Sequence, residues 1–343
     1  MMKNIYIKTV LAFSAVALLH TSCSDWTEPE SLSMDYATIE NQNPGLYENY
    51  LKDLREYRTT EHQLVYAWFD NSEKVPYSRA HHLVDLPDSI DVVGLIYPDG
   101  LTNMEMNEIK EIREKKGMKV IYTVDYDKIK TAYNDKVLNA PEEEPFSKEF
   151  RPFLTDSLQY ALSVAGKYGY DGICINYTGK SSLHMDETEL KEYKENENCF
   201  MKIVADWLER NGDKYSLVFQ GTPQNVLSEN AVVLDKSDVI FISGLQASST
   251  SELTSMLTMG YIEKYKERYG VTVVGVPLNT SDKHYMFGDE LAVNAVAEWA
   301  SVPQIGLNLR AVGAYDVSGD YFAADSNYKN IRNMINILNP SIK

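Results

Sequence analysis

The chain has 343 residues, with 33 basic and 50 acidic side chains, a formal charge of −17 and 44% hydrophobic residues. A surface this acidic repels phosphate backbones and anionic lipid, which argues against nucleic acid as a partner and favours neutral ligands. The length allows one large core or two small ones, and three cysteines are too few for a disulfide framework.

Lys3 and Lys8 flank a basic start, and Thr9–His20 is an apolar run too short to span a bilayer comfortably. Small residues and a cysteine follow in "LHTSCSDW" (Leu19–Trp26). That order is a secretory signal. Cys23 directly after Ser22 suggests a bacterial lipoprotein, cleaved before Cys23 and acylated there, although His20 stands where such a box usually has an aliphatic residue. An ordinary signal peptide cut nearby, with Cys23 incidental, is the alternative. Asp25, Glu28 and Glu30 then resemble the acidic export signal of Bacteroides surface lipoproteins. The expectation is a signal peptide over residues 1–22, a polar tether over 23–42 and a folded body over 43–343, held on the outer membrane by lipid and facing outward. Cleavage would remove Lys3 and Lys8, leaving 31 basic against 50 acidic side chains and a charge of −19. Cys174 and Cys199 would then be the two remaining thiols, and neither has a metal-site spacing.

From Gly45 to Arg58, Leu46, Tyr47, Tyr50, Leu51 and Leu54 recur at helical spacing, which predicts an opening helix. Eight short β-rich runs follow: residues 63–69, 90–97, 119–125, 172–177, 216–221, 238–244, 271–277 and 306–315. Most are apolar on both faces, as strands of a covered parallel sheet are. Helical stripes alternate with them, for example Phe200, Ile203, Val204, Trp207 and Leu208, and at the end Tyr328, Ile331, Ile335 and Leu338. Trp207 and Trp299 fall in such stretches and are expected in the core. Eight strands each followed by a helix predict an α/β fold, a (β/α)8 TIM barrel in one domain. The competing open doubly wound sheet usually shows a glycine-rich turn after its first strand; here the first run leads into "DNSEKVPYS", which has no glycine. The longest insertion, Asn134–Phe150, is expected as a rim loop, its acidic run Glu142–Glu144 as a solvated face, and His81–His82 as loop surface.

In a barrel the chemistry lies at the carboxyl ends of the strands. The fourth run reads "DGICINYT", Asp171 to Thr178. This resembles the fourth-strand signature of glycoside hydrolase family 18, Asp-Gly-x-Asp-x-Asp-x-Glu, found in chitinases and endo-β-N-acetylglucosaminidases. "LPDSIDVVGL" (Leu86–Leu95), the eight-run rhythm and the lipoprotein start are most similar to Bacteroides members acting on N-glycans. Asp171 and Gly172 match the opening pair. The inner acids fall on Cys174 and Asn176, and the terminal glutamate on Thr178, so all three functional acids are missing. The resemblance implies substrate-assisted hydrolysis, in which the sugar's 2-acetamido oxygen attacks the anomeric carbon. There the second inner aspartate steadies the acetamido group, and the glutamate protonates the leaving oxygen and then activates water. A threonine hydroxyl can do neither at neutral pH, and loss of a positioned general acid costs about 10²–10⁴-fold. Cys174 reads as a small apolar side chain of a barrel layer rather than a reactive thiol.

The expected function is therefore a surface lipoprotein with an impaired family 18 cleft. It would capture N-acetylglucosamine-containing glycans, N-glycans above all, and pass them to SusC/SusD-type outer-membrane proteins. Tyr97, Tyr126, Tyr177 and Tyr315 end strand runs, Gln220, Gln246, Asn71 and Asn279 hold comparable positions, and Trp68 lies inside the first run. Tyrosines supply stacking faces with polar tips, so Trp68, Tyr97, Tyr126, Asn176, Tyr177, Gln220, Gln246 and Tyr315 are the candidate glycan contacts. The alternatives are an active endo-β-N-acetylglucosaminidase with an acid relocated to Asp70, Asp125 or Asp316, and a structural or adhesive barrel with a closed cleft. Asp125 also reads as a cap for the helical turn that follows. No spacing calls for a metal or an organic cofactor.

Overall fold

A computed structural model describes residues 39–141, 143, 146–278 and 283–340. The proposed leader, Cys23, most of the tether, Glu142, Glu144 and Asn279 lie outside the described residues. The chain divides into a unit ending at Tyr50 and a unit running from Leu51. Helix α1, Pro44–Tyr57, crosses that boundary, and within the second unit it buries Leu51 and Leu54.

The second unit is built on a closed barrel of eight parallel strands. They are β1 Leu64–Phe69, β2 Val92–Leu95, β3 Lys119–Asp125, β4 Gly172–Tyr177, β5 Ser216–Gly221, β6 Val239–Ser243, β7 Tyr269–Val274 and β8 Ala311–Tyr315. Neighbours in sequence are neighbours in the sheet, and β8 closes on β1. All eight predicted runs form strands. The main adjustments fall on the second run, of which only Val92–Leu95 forms strand, and on the last two. β7 starts two residues before its run, and Gly306–Arg310 stay outside β8 because Ile305 and Gly306 turn through positive φ (47° and 85°) between the bridged Gln304 and Leu307.

Two apolar layers result. The larger lies between the strands and the surrounding helices. The smaller fills the barrel with Tyr66, Trp68, Val92, Ile121, Cys174, Val218, Val239, Phe241 and Ala311. Trp68 fits there because its neighbours lack side chains: a Cβ on Gly94 would lie 2.6 Å from its Cδ1 and one on Gly313 2.9 Å from its Cζ3.

Helices α2 Asn103–Lys116, α3 Tyr126–Leu138, α4 Phe150–Tyr168, α5 Glu187–Asn211, α6 Val232–Lys236, α7 Thr250–Gly260, α8 Ala292–Ala300 and α9 Lys329–Leu338 cover the sheet. Their starts follow local chemistry. Thr102 and Glu105 form a capping box on α2, as Asp186 and Glu189 do on α5. Trp207 lies within α5 and is buried. Trp299 lies within α8, partly buried against the core.

Three expectations need correction. The segment from β1 to β2 contains only the 3₁₀ turns Arg79–His81 and Leu83–Asp85, not an α-helix. The insertion after β3 begins as helix, since α3 runs to Leu138 before the loop opens. His81 is buried rather than surface, and His82 pairs with the buried Glu108, which also accepts from the backbone N–H of Leu83 at 2.7 Å. That carboxylate ties the β1–β2 segment to α2 through the partly buried His82, whereas the buried His81 keeps one ring nitrogen, Nδ1, without a partner among the described residues.

Candidate functional site

The carboxyl ends of the strands hold a cluster of polar groups over the inner layer. Side chains alternate along a strand, so Thr123 and Asp125 of β3, Cys174 and Asn176 of β4, and Gln220 of β5 face inward. Parallel register aligns Thr123 with Cys174 and places Asp125, Asn176 and Gln220 side by side. Asn176 donates through Nδ2 to Asp125 Oδ2 at 2.9 Å. Asp125 Oδ1 in turn accepts from the backbone N–H of Lys128 at 2.9 Å, capping α3. Burial raises the Asp125 carboxyl above its ordinary range against those hydrogen bonds. Asp125 is thus both a helix cap and the carboxylate that meets the fourth strand.

Cys174 is fully buried, 3.9 Å from Gln220 Oε1. Burial pushes its thiol well above the usual range, which makes it an inert packing residue. Gln220 is itself buried beneath the mouth. Thr178 lies past the end of β4 with an exposed side chain, and its carbonyl accepts from Asn225 Nδ2 at 3.0 Å. Its hydroxyl has no activating partner among the described residues.

Trp68 is 1% exposed and donates its indole N–H to Thr123 Oγ1 at 3.0 Å. Above it Tyr315 stacks with ring centroids 5.7 Å apart. Tyr315 is partly exposed, and burial with Asp125 and Cys174 nearby pushes its hydroxyl up to about 12. Tyr315 therefore presents the accessible ring, and Trp68 steadies it from below.

The other named residues scatter. Tyr177 is not brought to the mouth, because alternation turns it opposite to Asn176. It lies behind the sheet, donating to Glu197 at 2.6 Å with Tyr193 Oη 2.9 Å away. Tyr126 also packs behind the strands, against Tyr177 and Phe200. Tyr97 is half-exposed after β2, its backbone held at both ends by the buried Asn71 amide, at 2.8 and 2.9 Å. Asn71 is spent on that task. Gln246 is exposed on the loop after β6. Asp70 Oδ1 accepts from Ser72 N, and Asp316 Oδ1 from Ser318 N. Burial also raises the Asp316 carboxyl. Thr123 escaped the sequence reading, although period-two alternation in "KVIYTVD" places it on the face of Asp125.

Asp171 sits at the opposite end of β4. It accepts from Arg113 at 2.9 and 3.1 Å and from the backbone N–H of Val120 at 2.8 Å. Among the described residues no group of His, Cys, Asp and Glu is placed to hold a metal ion, and no helix is long and apolar enough to cross a membrane.

The sequence matches the family described as glycoside hydrolase family 18, BT1044-like, over residues 27–337. The chain belongs to glycoside hydrolase family 18. Its fold is correspondingly similar to that of a Glu→Gln variant of BT1044, with 19% identity, a TM-score of 0.59, and coverage of 89% of this chain and 96% of that one. It is also similar to the apo endo-β-N-acetylglucosaminidase from Cordyceps militaris, with 17% identity, a TM-score of 0.57 and coverage of 85% and 96%. A double variant of that fungal enzyme, solved in complex with fucosyl-N-acetylglucosamine-Asn, shares 17% identity at a TM-score of 0.54, with coverage of 84% and 95%. Comparison with curated proteins returned no match. Within this family 18 barrel, the inner face of β4 and the residue past its end present a buried thiol, Cys174, an amide tied to Asp125, Asn176, and an exposed threonine, Thr178.

Proposed function

We propose that this family 18 barrel captures glycans rather than cleaving them, as an outer-membrane lipoprotein at the cell surface. The observation that carries the reading is the inner face of β4. Cys174 and Thr178 offer no group that protonates a leaving oxygen at neutral pH, and Asn176 supplies an amide without negative charge. Stacking and hydrogen bonding remain: Tyr315 has an accessible ring, and Asn176, Asp125 and Thr123 converge beside it. N-acetylglucosamine-containing glycans are the favoured ligands, because the family 18 relative from Cordyceps militaris was solved with fucosyl-N-acetylglucosamine-Asn. Cys23 as the acylated residue, the acidic run after it and delivery to a SusC/SusD-type importer complete the reading. A multi-chain lipid anchor would hold the protein stably on a membrane.

One observation favours a second reading, an endo-β-N-acetylglucosaminidase with a relocated acid. The Asp125 carboxyl is raised by burial and lies beside Asn176, and a raised carboxyl suits a general acid. A mass-read capture assay separates the two. Immobilised protein is presented with mixed N-glycans and glycopeptides, and bound and unbound fractions are weighed. Retention of a subset at unchanged mass is the expected result. Products cut between the two core N-acetylglucosamines, abolished by Asp125→Asn, would establish the enzyme instead.

A further inference from the structure

Two loops form the rim of the mouth between β4 and β5, one leaving β4 at Thr178 and the other leaving β5 at Thr222. A single face of α5 ties them together from behind. Tyr193 and Glu197 stand four residues apart on that helix and so point the same way. Tyr193 Oη lies where three segments meet. It accepts from the backbone N–H of Lys180 at 3.2 Å, donates to Asn225 O at 3.2 Å and lies 2.9 Å from Tyr177 Oη. Asn225 Nδ2 in turn donates to Thr178 O at 3.0 Å, and the backbone N–H of Thr222 donates to Tyr177 O at 3.1 Å. Both loops need glycine for this approach. A Cβ on Gly179 (φ 57°) would lie 2.8 Å from Tyr193 Oη, and one on Gly221 (φ 138°) would lie 2.0 Å from Tyr177 O.

Glu197 anchors this junction from within. It is 1% exposed. Its Oε2 accepts from Tyr177 Oη at 2.6 Å, and its Oε1 accepts from the backbone N–H of Leu227 at 2.7 Å and from Asn230 Nδ2 at 2.9 Å. Burying a carboxylate is costly unless donors satisfy it, and here those donors come from β4 and from the loop after β5. Hydrogen bonds to a charged acceptor are roughly twice as strong as neutral ones. One carboxylate therefore fixes Tyr177 and the loop after β5 relative to each other. The Tyr193 hydroxyl carries that fixation on to the loop after β4.

We infer that Tyr193 is a positioning residue for capture: its hydroxyl clasps the loops after β4 and β5 into one preformed wall of the mouth, with Glu197 as the anchor of the clasp. A wall held in place before binding gives up less freedom when a ligand arrives, which raises affinity without a new contact. The effect on affinity rests on the capture reading above; the clasp itself does not. The test compares the full chain with Tyr193→Phe, which keeps the ring and removes only the hydroxyl, and with Gly172→Ala, a destabilising change at the far end of β4. Hydrogen exchange read by mass spectrometry reports the clasp, thermal unfolding reports stability, and the concentration of mixed N-glycans at half-maximal retention reports affinity. Tyr193→Phe should speed exchange over residues 178–186 and weaken retention about tenfold, on the order of the ordering cost the clasp removes. Gly172→Ala should lower stability and leave retention in place. Unchanged exchange over 178–186 in Tyr193→Phe, unchanged retention in that variant, or an equal loss of retention in both variants each overturns the inference. If the unaltered protein retains no glycan, the capture reading falls, and the exchange measurement alone then decides the clasp.

Discussion

The two ends of the six-residue strand β4 have opposite characters. At the amino end Asp171 and Asp91 are each held by several donors. Asp171 accepts from Arg113 and from the backbone of β3, and Gly172 is obligatory because a Cβ would lie 2.2 Å from Ser216 Oγ and 2.4 Å from its carbonyl. The same end carries Asp91, which accepts from Arg58 at 2.8 Å, His62 at 3.0 Å and the backbone N–H of Val65 at 2.8 Å, all nearly buried. At the carboxyl end the groups are half-buried and sparsely paired: Asn176 meets Asp125, and Thr178 is open to solvent. Asp171 and Gly172 hold the sheet together, whereas positions 174, 176 and 178 toward the other end carry no acid.

That contrast can be broken from either side. The largest effect is expected from Asp91→Ala, which leaves Arg58 buried without its partner and should cost about 3–5 kcal/mol; chemical denaturation measures it. Gly172→Ala should cost about 1–3 kcal/mol through forced overpacking against Ser216. Thermal unfolding would show this, and a neutral result would mean the β4–β5 register gives way easily.

The amino end should also carry a pH signature. Both ring nitrogens of His62 face acceptors, Thr60 O at 2.8 Å and Asp91 Oδ1 at 3.0 Å, so the imidazolium alone satisfies both. The hydrogen bond to Asp91 raises its pKa above the ordinary value, against the opposing effect of burial. A raised folded-state pKa means this contribution is fully present below the unfolded value of about 6.5 and is lost as pH rises through the folded one. Stability should thus fall on passing upward through that window, and the fall should shrink in His62→Gln. A pH profile unchanged by that substitution would remove His62 from the account.

The carboxyl end should respond least in stability. Thr178→Glu places a carboxylate on an exposed side chain and should shift unfolding by no more than about 0.5 kcal/mol. It should not create strong glycosidase activity, because Cys174 and Asn176 remain and such groups act as a unit. Robust turnover by this single variant would show that the thiol and the amide are no obstacle.

Much of the scaffold was legible because its signals are local. Runs such as 63–69 and 271–277 are largely apolar on both faces, which is what a strand covered on both sides requires. Asp125 was readable as a cap since capping depends on the next turn alone. The first connector was not legible, because Leu83 and Leu86 are apolar for burial under α2, not for helical periodicity. His81 escaped for a similar reason: a charge-capable side chain goes inward only when a distant element closes over it. Tyr177 looked like a rim aromatic by its place in the chain, but a one-residue offset from Asn176 turns it to the other face.

By itself, the sequence determined the count of strands, the barrel and the lack of an acid at positions 174, 176 and 178, since each depends on residue type and spacing within short segments. The tertiary structure alone decided that Asn176 meets Asp125, that Tyr315 rests on Trp68 and that Tyr177 turns behind the sheet to Glu197. Those relations depend on barrel closure and inter-strand register, which bring together side chains that lie far apart along the chain.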